Sequence, residues 1–402
     1  MFVRRLSLRD FRSWHHLDLE LSAEPLILVG RNGFGKTNVL EALFYLTNLR
    51  SHRVSSDAAM VAEATDTARI AATVQNDGRE LTVEVTLAGS GANRVTLNSR
   101  PVRRHRDVIG VLRSVMFAPE DLLLVKGEPA DRRRFLDDLV TGLGPTAVAA
   151  KADYDRVLRQ RAALLKTAGA AMRRGGTDAD SVISTLDVWD AQLAAFGAQV
   201  TAHRITMVNS ALPHVQSAYS SIAPHSRPAS IRYRSALGSE ANDHGGKPLS
   251  VEQIEQYLLE ALAQARSREI DRGVCLVGPH RDDLEISLDQ KLAKGYASHG
   301  ESWSLALALR LATVELIRAE GVEPVILLDD VFAELDAKRR VHLAQYTADA
   351  EQLLVTAAVP EDLPTGVGGR RLSVQMREEA DDHGVIRRRS TVRSDGRIDG
   401  DD

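Results

Sequence analysis

The stretch Gly30–Thr37, GRNGFGKT, constrains this chain more than any other, because it fits the spacing G-x-x-x-x-G-K-[ST]. Glycines at those positions let the backbone wrap a phosphate without Cβ clashes and aim several N–H donors inward. The apolar run PLILV precedes the loop, and Asn38–Leu49 follows with helical spacing of Leu40, Leu43, Phe44 and Leu46. A strand running into a loop and then a helix is the context this motif needs. The expected phosphate cradle is therefore Gly30, Arg31, Asn32, Gly33, Phe34, Gly35, Lys36, Thr37 and Asn38. Lys36 would neutralise the β- and γ-phosphates of ATP, and the Thr37 hydroxyl would hold Mg²⁺. The bland alternative, a glycine-rich turn, leaves the lysine and hydroxyl unexplained.

Two further elements fit the same chemistry. Residues 325–330 read VILLDD, a buried-type strand ending in two carboxylates. Asp329 would complete the Mg²⁺ shell and Asp330 would orient or deprotonate the attacking water. Alone, the run is equally a buried strand ending in exposed acids. Residues 296–312, YASHGESWSLALALRLA, open an apolar helix with Ser298 and Gly300, a second anion-binding turn. It would serve a nucleotide held by another subunit, or it is an ordinary helix start capped by Ser298 or Glu301.

Composition removes several classes. With 51 Lys plus Arg against 55 Asp plus Glu, the net charge of −4 shows no overall basic character, so any DNA surface must be local. The single cysteine, Cys275, cannot form an internal disulfide. No apolar run reaches the ~20 residues of a membrane helix, and the N-terminus lacks a signal-peptide pattern, so a soluble cytoplasmic protein is expected. Strand-like segments are expected at Phe2–Leu8, Leu17–Leu21, Pro25–Val29, across 67–97, and again at Val274–Leu276, Leu284–Leu288 and Val325–Leu328. Helical text fills 131–220, interrupted by RRGGTD near 173–178, then Ser250–Ile270 and Ser302–Ala319. This order predicts an α/β domain of lobe I (1–115 and 270–362), a helical lobe II (116–269), and a C-terminal strand and mobile tail (363–402).

Taken in order, the three motifs resemble the ABC-type ATPase head shared by transporters, SMC proteins and recombination ATPases. The opening LSLRDFRSW is similar to the SMC-like branch, with its Phe11-Arg12 pair. FAPEDLLLVKGEPADRRRFLD (117–137), GPHRDDLEI (278–286) and LLDDVFAELD (327–336) resemble the RecF family, and the likeness covers roughly residues 1–360. It implies an ABC-type P-loop head with a mixed sheet, an antiparallel β subdomain and an inserted helical lobe. The middle segment lacks sustained heptads, so no long coiled coil is expected. The resemblance further implies an ATP-dependent homodimer that binds gapped DNA or single/double-strand junctions independently of sequence. Its pathway partners would be RecR and RecO, helping to load RecA, in a nucleoid-associated setting. Lys36 and Asp330 become the catalytic pair, Thr37 and Asp329 the magnesium residues, and Ser298 and Gly300 the signature loop. Two departures stand out: the signature reads SHGES, with Glu301 where a Gln is usual, and LLVTAAVP offers Thr356 where transporters carry a switch histidine.

Candidate DNA contacts are Arg103 and Arg104, and Arg132, Arg133 and Arg134, which suit phosphate binding without sequence readout. Arg132–Arg134 could equally bridge to Asp137 and Asp138. Arg156, Arg159 and Arg161 form a further basic cluster. His280, with Arg281 and Asp282, is expected to form a polar network linking the lobes. Two other functions fit parts of this pattern: a nucleotide-gated scaffold with negligible turnover, and a transporter ATPase subunit.

Overall fold

A computed structural model of the chain describes residues 1–142, 144–174, 176–237, 249–380 and 386–394. The chain divides into two compact units. The first comprises Met1–Asp121, Ser221–Pro224 and Ala306–Asp402, and the second Leu122–Ser220 and His225–Leu305. The return to the first unit thus comes at Ala306 rather than at residue 270, and residues 116–121 stay with it.

The first unit is built on two sheets. One is antiparallel, in the order β2 (Trp14–Glu20), β1 (Phe2–Phe11), β4 (Thr67–Asn76), β5 (Arg79–Ala88), β6 (Arg94–Leu97) and β7 (Arg100–Pro101). Its strands alternate buried and exposed residues, as a sheet with one face on a core must. The other runs β15 (Ile386–Ser394), β14 (Arg370–Ala380), β3 (Leu26–Val29), β13 (Leu353–Ala357), β12 (Val325–Leu328) and β8 (Ser114–Phe117). All its neighbours pair in parallel except the β14–β15 edge. Strands β8, β12 and β13 are buried at every position, which explains their largely apolar text. Helix α1 (Lys36–Asn48) joins the core between the two sheets through Val39, Leu40, Leu43 and Phe44.

The second unit holds α2 (Leu122–Lys126), α3 (Pro129–Thr141), α4 (Pro145–Arg174), α5 (Gly176–Ile222 in its greater part) and α6 (Val251–Arg272). It also contains an antiparallel sheet of β11 (Lys291–Leu292), β10 (Asp283–Leu288) and β9 (Ala229–Arg234), so this lobe is not purely helical. Helix α7 (His299–Ala319) begins in this unit. Among the described residues no helix is long and apolar enough to cross a membrane. The expected strand at Val274–Leu276 does not form. Its backbone is taken by side chains instead: Arg281 and His280 bond the Cys275 carbonyl, and the Glu269 carboxylate accepts the Leu276 N–H at 2.6 Å. Of the break expected at 173–178, residues 173–174 belong to α4 and 176–178 to α5, while Gly175 and the tail beyond Ser394 lie outside the described residues.

Candidate nucleotide site

Parallel pairing places the carboxyl ends of β3, β12 and β13 side by side, where an open α/β sheet binds ligands. Leu328 lies opposite both Phe117 and Val355, and Val29 opposite Ala357. The loop after β3 therefore meets the acids after β12. The Thr37 hydroxyl donates to Asp329 Oδ1 at 2.9 Å, across 292 residues of sequence. Thr356, at the end of β13, donates to the same oxygen at 2.8 Å. Lys36 Nζ reaches the Gly30 carbonyl at 2.7 Å and stands 3.7 Å from Asp330 Oδ2.

The loop itself is held by close packing. Gly35 has φ of 96°, and a Cβ there would meet the Ser390 and Ser13 hydroxyls at 2.4 and 2.6 Å. At Gly30 a Cβ would meet the Val374 carbonyl oxygen at 2.3 Å. Trp14 Nε1 donates to the Gly35 carbonyl at 2.9 Å, and the Ser390 hydroxyl donates to the Phe34 carbonyl at 2.7 Å. Asn38 Nδ2 donates to Ser13 Oγ at 2.9 Å. Arg31, Asn32 and Gly33 form the exposed crest, while Phe34 packs against the core. Sequence reasoning missed Ser13, Trp14 and Ser390; FRSW was read for its Phe-Arg pair, and residues from 363 onward as a C-terminal strand and mobile tail. A cavity of about 680 Å³ shares Ser13 with the loop and is lined by Arg12, Asp10, His15, Glu63 and residues of β15.

Charge and capping show what the loop is ready to receive. Helix α1 begins with no side-chain cap and no acid in its first turn, whereas α6 and α7 both carry capping boxes. Its free amide donors and positive end suit an anion. Asp329 is only 4% exposed, and burial raises its pKa to about 6 against the opposing hydroxyls of Thr356 and Thr37; Asp330 and Glu120 add to the rise. Asp330 sits in the left-handed region (φ 47°, ψ 17°), a conformation costing ~1–2 kcal/mol for a non-glycine residue. Its Oδ1 is buried without a partner in the protein. An uncapped helix start, a cation resting on its own loop carbonyls and an orphaned acid oxygen fit a magnesium-nucleotide. Among the described residues no group of three or more His, Cys, Asp and Glu could hold a metal alone. Magnesium held by one hydroxyl, one carboxylate and phosphates needs no such group.

Ser298 and Glu301 form a reciprocal cap at the start of α7. The Ser298 N–H donates to Glu301 Oε2 at 2.9 Å, and the Glu301 N–H to Ser298 Oγ at 3.2 Å. Arg227 donates to Glu301 Oε1 at 3.0 Å. The Ser298 backbone bond and the Arg227 charge hold the Glu301 carboxyl down at about 2. Glu301 thus plays the capping part a glutamine would, with an added charge that Arg227 balances.

Among the expected DNA contacts, Arg103 and Arg104 are exposed in the first unit. Arg132 differs from expectation. It is 6% exposed, and its guanidinium forks onto Asp283 at 2.8 and 2.9 Å while Nη1 donates to the Gly127 carbonyl. Arg133 donates to the Asp282 carbonyl at 2.9 Å. These two brace β10, and neither bridges Asp137 or Asp138 in those bonds; Arg134 stays on the surface. Arg161 is fully buried rather than part of a basic face. His280, Arg281 and Asp282 do form a polar network, but the partners described, Tyr154, Cys275, Tyr233 and Ala236, lie within the second unit.

Comparison with known proteins places this geometry. The family described as RecF/RecN/SMC N terminal domain matches residues 2–379. A DNA replication and repair protein RecF from Rhodococcus erythropolis is 57% identical over 389 residues, covering 95% of each chain. The chain belongs to the RecF family. A solved structure of the recombination mediator RecF with ATP, of the RecFOR pathway, superposes with a TM-score of 0.82 at 23% identity, covering 96% of this chain and 97% of that one. The Smc head domain of Pyrococcus furiosus, bound to a domain of ScpA, gives 0.51 at 15% identity over 98% and 96%. The fold is the ABC-type ATPase head, and in this RecF-family chain the phosphate loop and the VILLDD acids occupy one site.

Proposed function

We propose that this RecF-family chain is an ATP-dependent DNA-repair protein whose nucleotide state times its hold on DNA. The observation that carries the reading is the bond from Thr37 to Asp329, which unites the loop and the acids. Gly30–Asn38 would cradle the phosphates, with Lys36 against their charge, and Thr37 and Asp329 would hold Mg²⁺. Bound magnesium supplies Lewis acidity that neutralises developing charge on the phosphates. Asp330 takes the proton of, or orients, the attacking water; its unpartnered Oδ1 leaves it an acceptor to use. The cavity beside Ser13 has room for the nucleoside. Two copies close face to face, the Ser298 and Gly300 turn of each completing the other's site. Arg103, Arg104 and Arg134 supply phosphate contacts to gapped or junction DNA, in concert with RecR and RecO toward RecA loading in the cytoplasm.

Sedimentation of Asp330→Asn with saturating ATP and magnesium tests this. A trapped dimer is expected, and a monomer would sink the mechanism. Phosphate release with and without gapped DNA distinguishes slow hydrolysis from a nucleotide-gated scaffold without turnover.

A further inference from the structure

Thr356 stands at the end of β13, 1% exposed, and both roles of its hydroxyl are committed. Its Oγ1 accepts the Asp330 N–H at 2.8 Å and donates to Asp329 Oδ1 at 2.8 Å. A hydroxyl has one proton to give, so with its donor directed and a lone pair engaged its orientation is fixed. The β12–β13 register explains the reach: Leu328 lies opposite Val355, so the next residue on each strand, Asp329 and Thr356, come level.

The consequence falls on Asp330. This residue leaves the strand in the left-handed region and heads the short helix Val331–Glu334 without a side-chain cap. Its amide points away from any sheet ladder and finds its acceptor in Thr356. Its carboxylate has no comparable anchor: Oδ2 stands 3.7 Å from Lys36 Nζ, and Oδ1 has no partner. Asp330 is therefore placed through its backbone, and the backbone is fixed by a hydroxyl on the neighbouring strand. We propose that Thr356 is the positioning residue for hydrolysis, its hydroxyl tying the magnesium-side acid to the water-side acid so that the two keep one geometry. The proposal rests on reading Asp329 and Asp330 as ATPase acids. It gives Thr356 a part unlike a switch histidine, since its bonds run to the acids rather than toward a phosphate.

Valine matches threonine in shape but cannot accept or donate, and serine keeps the hydroxyl. The full chain carrying Thr356→Val should release phosphate about 10–100-fold more slowly, the scale of a misplaced reacting group. Its affinity for a fluorescent ATP analogue should stay within about threefold, because the cradle is untouched. Hydrogen exchange of the peptide spanning residues 328–334 should accelerate. Thr356→Ser should remain within about threefold of the parent in all three measurements. Turnover and exchange unchanged in Thr356→Val would overturn the proposal, as would Thr356→Ser failing as badly as valine. Should the valine variant not fold, Thr356→Ala carries the same comparison. A parent chain that releases no phosphate would refute the hydrolytic reading, and the exchange difference would then decide on Thr356 by itself.

Discussion

Each unit of this protein buries a group of opposite charges, and the two groups are finished to different degrees. In the second unit Arg161, fully buried, donates from Nε to Asp190 and from Nη2 to Glu269, both at 2.6 Å, and from Nη1 to Cys275 Sγ at 3.4 Å. Both acids have further donors, Arg266 on Asp190 and the Leu276 N–H on Glu269. In the first unit Lys36 leans on loop carbonyls, 3.7 Å from its nearest acid, and Asp330 keeps an orphaned oxygen. Burying charge costs several kcal/mol per ion unless partners are complete. The Arg161 cluster is closed by its own partners; the other leaves Asp330 Oδ1 without a partner in the protein.

The contrast breaks most sharply by deleting one cation from each group. Arg161→Ala strands two buried carboxylates and should cost about 3–5 kcal/mol, read by denaturant unfolding. Lys36→Ala removes a charge that the fold leaves half-used, and should leave the unfolding midpoint near the parent's. ATP affinity should nevertheless fall about 100-fold by titration calorimetry. If Lys36→Ala destabilised as much as Arg161→Ala, the distinction would collapse.

Acid provides a gentler probe. Burial holds the rings of His280 and His52 neutral, with pKa values lowered to about 4 from 6.5. The unfolded chain then binds more protons between those values, so their contribution to stability is complete above pH 6.5 and lost as pH falls toward 4. Melting temperature should drop between pH 7 and 5, and His280→Gln should flatten part of that drop. In the neutral ring, Nδ1 accepts the Tyr154 hydroxyl at 2.6 Å, so protonation opposes an existing bond.

The smallest effects belong to the surface. Arg103→Ala and Arg104→Ala should each lower the salt slope of DNA binding by about 1, uniformly across sequences. Arg132→Ala should instead lower stability, because its guanidinium belongs to Asp283.

Local text carried the elements around the candidate site well, because Gly30–Thr37 and VILLDD each encode a strand and the turn after it in a few consecutive residues. What stayed hidden was pairing at long range. Nothing near Arg132 names Asp283, 151 residues away, and three adjacent arginines read as a basic face. Val274–Leu276 is apolar enough for a strand, yet the Glu269, His280 and Arg281 side chains take its backbone groups, so no ladder forms. SHGES left a nucleotide contact and a helix cap both open; the structure shows the cap, and a cap does not exclude the contact. The arginine-rich stretch after residue 380 carried no sign that Ser390 would lie against Gly35.

That last placement bears on how the protein is made. The phosphate loop leaves the ribosome early, but β3 lies between β13 and β14, which are translated more than three hundred residues later. Until Leu353–Ala380 emerges, β3 has neither of its parallel neighbours beside it, and Ser390 reaches the loop later still. Closing contacts at such separation is slow. A prematurely terminated product would therefore carry the whole motif without the two strands that flank β3.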